Sequence, residues 1–185
     1  NTPNSATYGP LIHNKMEIER LKSGFNVGLV EDFDALSSDR TVVIRTHGIQ
    51  KNELDRLKQN DFSIVDATCP YVTKPQETCN KTSEEGYDIV IFGDQNHPEV
   101  KGVMSYASEK SGVFVVLEPS ELDTLCIRER VAVVSQTTRK FDEFMEIVSK
   151  LILASKEVRV FNTICNATGE NQEDTKKLSK EADIV

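Results

Sequence analysis

Short runs rich in valine and isoleucine alternate along this chain with charged segments whose apolar residues recur at helical spacing. That pattern predicts α/β units in which helices cover mostly parallel sheets. FNVGLV (25–30), TVVIRT (41–46), FSIVDAT (62–68), YDIVIFG (87–93), GVFVVLE (112–118), VAVVSQ (131–136) and EVRVFNT (157–163) read as strands. Helices are expected at 14–23, 51–59, about 71–85, 97–108, 139–153 and 171–182, with a shorter candidate at 120–129 started by Ser120 after Pro119. Asn14 stands as the N-cap of the first helix, with Glu17 in the capping-box position. NSATYGP gives no strand ahead of that helix, and the closing DIV reads as the start of a strand. The expectation is a piece of a larger fold, short of strands at both ends. Residues 69–161 would form a central α/β unit, and 1–68 and 162–185 partial segments of a flanking or first unit.

Composition narrows the class. A chain of 185 residues is long enough for one or two domains with a substantial core. Its 38% hydrophobic and 28% charged residues fit a globular protein rather than extended disorder. The formal charge of -8 disfavours nonspecific contact with nucleic acid or an anionic membrane. With no apolar run of transmembrane length and no signal-peptide pattern in NTPNSATYGP, a cytoplasmic location is expected.

Four cysteines, Cys69, Cys79, Cys126 and Cys165, fit neither a disulfide framework nor a C-x-x-C motif, so reduced thiols or metal ligands are expected. Two of them share a context. FSIVDATCPYVTKPQ and VRVFNTICNATGENQ each carry an apolar strand, a threonine, a cysteine, and a glutamine seven residues after it. Both place the cysteine at a helix entrance, where free N–H groups favour the thiolate that ligates iron or zinc. The spacing alone matches no standard metal motif, and ordinary buried cysteines fit it too. Cys79 and Cys126 read as helix-packing thiols.

The histidines are His13, His47 and His97, each at or after a strand end or turn, in LIHN, RTHG and NHPEV. A single histidine in such a place is as often a solvated or backbone-bonded residue. Three of them, beyond the carboxyl ends of strands and beside helix N-termini, suggest one anion pocket suited to phosphate or diphosphate. Glu99 follows His97 by two residues, either as a helix-dipole partner or as a proton donor. Thr137 and Thr138 add hydroxyls after VAVVSQ, with helix capping as their simpler role, and Gln136 is a further polar candidate.

Taken in order, LIHN, RTHG, VDATCP with YVTK, NHPEV, SQTT and NTICNAT with ENQ resemble the 4-hydroxy-3-methylbut-2-enyl diphosphate reductase (LytB) family across essentially the whole chain. The resemblance implies a cytoplasmic, bacterial, oxygen-sensitive oxidoreductase of isoprene biosynthesis by the non-mevalonate pathway. It implies three related α/β domains around a [4Fe-4S] cluster. The implied reaction is reductive dehydroxylation of an allylic diphosphate to isopentenyl and dimethylallyl diphosphates, with ferredoxin or flavodoxin as electron donor. Carried over by motif, Cys69 and Cys165 are metal ligands, while His13, His47, His97, Thr137 and Asn166 bind substrate. Glu99 and Thr137 are the catalytic proton-handling groups. A monomer or homodimer is expected.

The chain also departs from the family pattern. The G-F-C segment that carries the third cysteine ligand and most of the final domain have no counterpart here. Gln50 stands where proline commonly follows Ile49, and Gly169 where a bulkier residue is usual. Two alternatives therefore accompany the reductase reading: a non-enzymatic diphosphate-binding α/β module, or an inactive fragment.

Overall fold

A computed structural model describes residues 5–12, 14–37 and 40–182, apart from the side chains of Thr168 and Gln172. Its strands form two parallel sheets of one plan. The first holds β1 (Ser5–Tyr8), β2 (Val27–Val30), β3 (Thr41–Ile44) and β4 (Ser63–Asp66) in the order β2-β1-β3-β4. The second holds β5 (Asp88–Phe92), β6 (Val113–Val116), β7 (Arg130–Ser135) and β8 (Glu157–Val160) in the order β6-β5-β7-β8. The helices are α1 (Lys15–Phe25), α2 (Lys51–Gln59), α3 (Pro70–Glu84), α4 (Pro98–Ser105), α5 (Phe141–Ala154) and α6 (Asn166–Glu181). Two four-stranded parallel sheets with flanking helices are the repeated α/β architecture expected.

The strand β1 corrects one expectation. SATY carries no valine or isoleucine, yet it is an inner strand, paired with β2 from Ser5↔Val27 to Tyr8↔Val30 and with β3 from Ser5↔Thr41 to Tyr8↔Ile44. Its ladder partners on both sides supply what local propensity lacks. The candidate helix at 120–129 is also shorter than expected, a 3₁₀ turn over Pro119–Thr124 that ends before Cys126. Asn14 caps α1 as expected, accepting from the Glu17 N–H at 3.2 Å, while the Glu17 carboxylate pairs with Arg20.

The chain divides into two compact units. One comprises Asn1–Glu77 with Asn96–Tyr106, the other Thr78–Gln95 with Ala107–Val185. Residues 162–182 thus follow β8 within the second unit. β8, whose register on β7 runs from Arg130↔Glu157 to Val133↔Val160, leads directly into them.

Each unit has its own core. In the first, Val42, Ile44, Ile49, Leu57 and Tyr8 pack together. In the second, Val90, Phe92, Val131 and Val133 from β5 and β7 meet Phe144, Ile147, Val148 and Leu151 of α5. Those four α5 residues follow the i, i+3, i+4, i+7 spacing of one helix face. All five residues of β5 are buried, as an inner parallel strand requires. Asp88 opens that strand at 1% exposure, its carboxylate accepting from the N–H groups of Gly112 at 2.9 Å and Arg128 at 2.8 Å.

Candidate functional site

Both sheets reverse direction at an inner strand. In the first sheet the chain runs outward from β1 to β2, returns to β3 and continues to β4, so the switch point lies between β1 and β3. In the second it lies between β5 and β7. Loops beyond the carboxyl ends of such strands diverge and leave a crevice, the usual ligand position of open α/β sheets. The described candidates fall in these loops or at the helix starts that follow them.

In the first unit, β3 runs into Arg45, Thr46 and His47, and the turn closes on Gly48 at φ 71, which glycine adopts without steric cost. His47 and His97 lie with ring centroids 5.9 Å apart and planes at 72°. His97 is the N-cap of α4, its Nδ1 accepting from the Glu99 N–H at 3.2 Å, with Pro98 in the first helical position. An Nδ1 that accepts leaves the proton of the neutral ring on Nε2, a donor for an anion. Glu99 is 2% exposed in the first turn of α4. Cys69 is half-buried immediately ahead of Pro70, the first residue of α3, and its N–H donates to the Thr46 carbonyl at 3.0 Å.

The second unit repeats the device. Cys165, half-buried, is the N-cap of α6, and its N–H donates to the Thr137 carbonyl at 2.8 Å. Thr137 is buried, and the neighbouring Gln136 ties β5 to β7. Its N–H donates to the Phe92 carbonyl at 2.8 Å, and its Oε1 accepts from the Asp94 N–H at 3.0 Å. Thr138 accepts from Gln136 Nε2 at 3.3 Å, and the N-cap of α5 is Lys140, so neither threonine caps that helix. Asn166 is exposed as the first residue of α6. A cleft beside Cys165 and Asn166, also lined by Arg139, Lys140 and Lys176, encloses about 520 Å³.

Two features of this region went unread in the sequence. The Thr163 hydroxyl clamps β7, accepting from the Ser135 N–H at 2.8 Å and donating to the Ser135 carbonyl at 2.5 Å. This fixes the run into Cys165 against the run into Thr137. The main-chain bonds of Cys69 and Cys165 to a threonine carbonyl likewise leave no mark beyond the threonines already noted in both segments. His13 lies outside the described residues.

Cys69 and Cys165 are chemically suited as thiolate ligands and occupy matching places in the two units. Among the described residues no group of three or more histidine, cysteine, aspartate or glutamate side chains is gathered to hold a metal ion. Cys79 is fully buried, and burial pushes its thiol up to about 12; Cys126 is exposed on a loop. Among the described residues no helix is long and apolar enough to cross a membrane.

Comparison with known proteins bears on this arrangement. The family model described as LytB protein matches residues 1–185. A 4-hydroxy-3-methylbut-2-enyl diphosphate reductase of Sulfurimonas denitrificans is 60% identical over 182 residues, covering 98% of this chain and 66% of the relative. Those of Nitratiruptor sp. and Campylobacter jejuni are 59% and 56% identical, covering 66% and 65% of the relatives. Among solved structures, (E)-4-hydroxy-3-methyl-but-2-enyl diphosphate reductase, the terminal enzyme of the non-mevalonate pathway, superposes with a TM-score of 0.83 at 39% identity, over 97% of this chain and 64% of that one. The Plasmodium falciparum E-1-hydroxy-2-methyl-but-2-enyl-4-diphosphate reductase gives a TM-score of 0.86 at 25% identity, over 99% of this chain and 58% of that one. The chain therefore spans about two thirds of the length of the curated relatives it matches.

Proposed function

Because this chain belongs to the LytB protein family, we propose that it supplies the diphosphate-facing residues and two of the cluster ligands of a 4-hydroxy-3-methylbut-2-enyl diphosphate reductase. The observation that carries this reading is the pairing of His47 and His97 at 5.9 Å beside the first turn of α4. Two imidazole N–H donors with a helix N-terminus suit the oxygens of a diphosphate. His13, carried over by motif from LIHN, joins them in this reading.

In this reading Glu99, buried in the first turn of α4, relays a proton to the leaving hydroxyl, and the Thr137 hydroxyl orients the alcohol end of the substrate and takes part in the relay. Asn166 contributes a polar contact at the start of α6. When bound by Cys69, Cys165 and a further ligand, an iron–sulfur cluster of the [4Fe-4S] type supplies the two reducing electrons, drawn from ferredoxin or flavodoxin. The chain's own contribution is to hold the anion, exclude water around Glu99 and deliver the proton.

For the chain by itself, diphosphate binding without turnover is the better supported reading. Among the described residues the two matched thiols stand without a third ligand group, and partial coordination forfeits much of the stabilisation that cluster binding gives.

Calorimetric titration with inorganic diphosphate tests the anion site. Binding is expected, weakened about tenfold or more in His47→Ala, since a charge-assisted hydrogen bond contributes about 1.5–3 kcal/mol; unchanged affinity would remove His47 from the site. Anaerobic iron–sulfide reconstitution tests the ligands. Cys69→Ala and Cys165→Ala should lower bound iron far more than Cys79→Ala or Cys126→Ala, and equal losses would overturn the assignment.

A further inference from the structure

Gln76, seven residues beyond Cys69 in α3, is 5% exposed, and its Nε2 is buried with no hydrogen-bond partner. A buried donor without an acceptor destabilises the fold, so stability does not account for glutamine at this position. Its neighbours do. A Cβ added at Gly48 would lie 2.9 Å from Gln76 Nε2, and one added at Gly102 would lie 3.3 Å from the same atom. Gly48 closes the turn after His47, while Gly102 sits on α4, the helix capped by His97 and opened by Glu99. The Gly102 Cβ position is also 3.7 Å from the Ile49 carbonyl oxygen and 4.0 Å from that of His47, so this face of α4 packs closely on the turn.

We infer that Gln76 is a positioning residue whose side-chain amide, seated against Gly48 and Gly102, sets the spacing between the His47 turn and α4. It thereby sets the geometry of the two imidazoles that meet the diphosphate, and in this it rests on the anion reading proposed above. A larger residue at either glycine would drive the two elements apart. A smaller one at position 76 would let them settle out of register. The start of α2, just after the turn, is tied to α4 by the Lys51 N–H donating to Ser105 Oγ at 2.9 Å, so the unit is expected to stay folded when Gln76 is changed.

The test uses the intact chain with two readouts, ring-proton cross-relaxation between His47 and His97 in NMR spectra and the affinity for inorganic diphosphate. Gln76→Ala should weaken the cross-relaxation and lower affinity about tenfold, in keeping with the sensitivity of positioned groups to small displacements. Gly102→Ala should do the same by crowding. Gln76→Ala introduced into Gly102→Ala should recover most of both signals, and Gln76→Met, which keeps the volume, should retain them. Unchanged readouts in Gln76→Ala, or additive losses in the double variant, would overturn the inference. Should the unaltered chain bind no diphosphate, the anion reading fails, and the cross-relaxation series still decides the role of Gln76.

Discussion

The Cys165 N–H donates to the Thr137 carbonyl at 2.8 Å, and the Cys69 N–H does the same to Thr46 at 3.0 Å. Each thiol is thus carried on a main chain pinned to the neighbouring strand's exit loop. Because the anchoring bond does not involve sulfur, Cys69→Ser and Cys165→Ser should change unfolding free energy by no more than about 0.5 kcal/mol in urea titrations, the range of a substitution that breaks no buried contact. A loss of several kcal/mol would mean that the sulfur itself holds the turn.

Alkaline stability should fall between about pH 9 and pH 12. Burial pushes the Cys79 thiol from 9.0 up to about 12, and burial followed by the hydrogen bond to Glu53 pushes Tyr8 from 10.0 to about 12. Both groups stay protonated in the folded chain while the unfolded chain ionises, so the unfolded state binds fewer protons there and stability declines as pH rises. Below pH 9 these two groups contribute no slope. Melting temperatures measured across pH 8–12 check this, and Cys79→Ala should flatten the decline. A curve unaltered by that change would count against the thiol's part.

His97 carries a structural load besides the anion-binding role proposed for it. Its Nδ1 satisfies the Glu99 N–H at 3.2 Å as the cap of α4. His97→Ala should cost about 1 kcal/mol, the usual loss for a missing N-cap, and His97→Asn should restore most of it. Diphosphate affinity should not return with the asparagine, which separates capping from binding. Recovery of both would assign His97 to the helix alone.

Gly169 lies on an exposed stretch of α6, and an added Cβ there meets no atom within 4 Å. Gly169→Ala should therefore stabilise the chain by about 0.4–1 kcal/mol, chiefly by restricting the unfolded state. Chemical denaturation measures the gain. A loss instead would indicate that α6 is covered by a partner surface at that residue.

Hydrophobic patterning alone determined the alternation of strands and helices, because valine-rich inner strands and the amphipathic α5 carry their burial in their own spacing. It also marked His47, His97, Cys69 and Cys165, since polar or reactive residues just after apolar strands are visible without coordinates. The strand SATY was not visible, because its place between β2 and β3 comes from pairing on both sides and not from its own composition. Nor could spacing bring Gln76, Gly48 and Gly102 together, for they come from three separate segments and meet only by packing. The sequence by itself thus determined most of the elements and which polar or thiol side chains follow apolar strands. Tertiary structure alone decided how the histidine pair is spaced and which threonine carbonyl anchors each cysteine, because hydrogen bonds and close packing between distant segments depend on strand order, which no local pattern records.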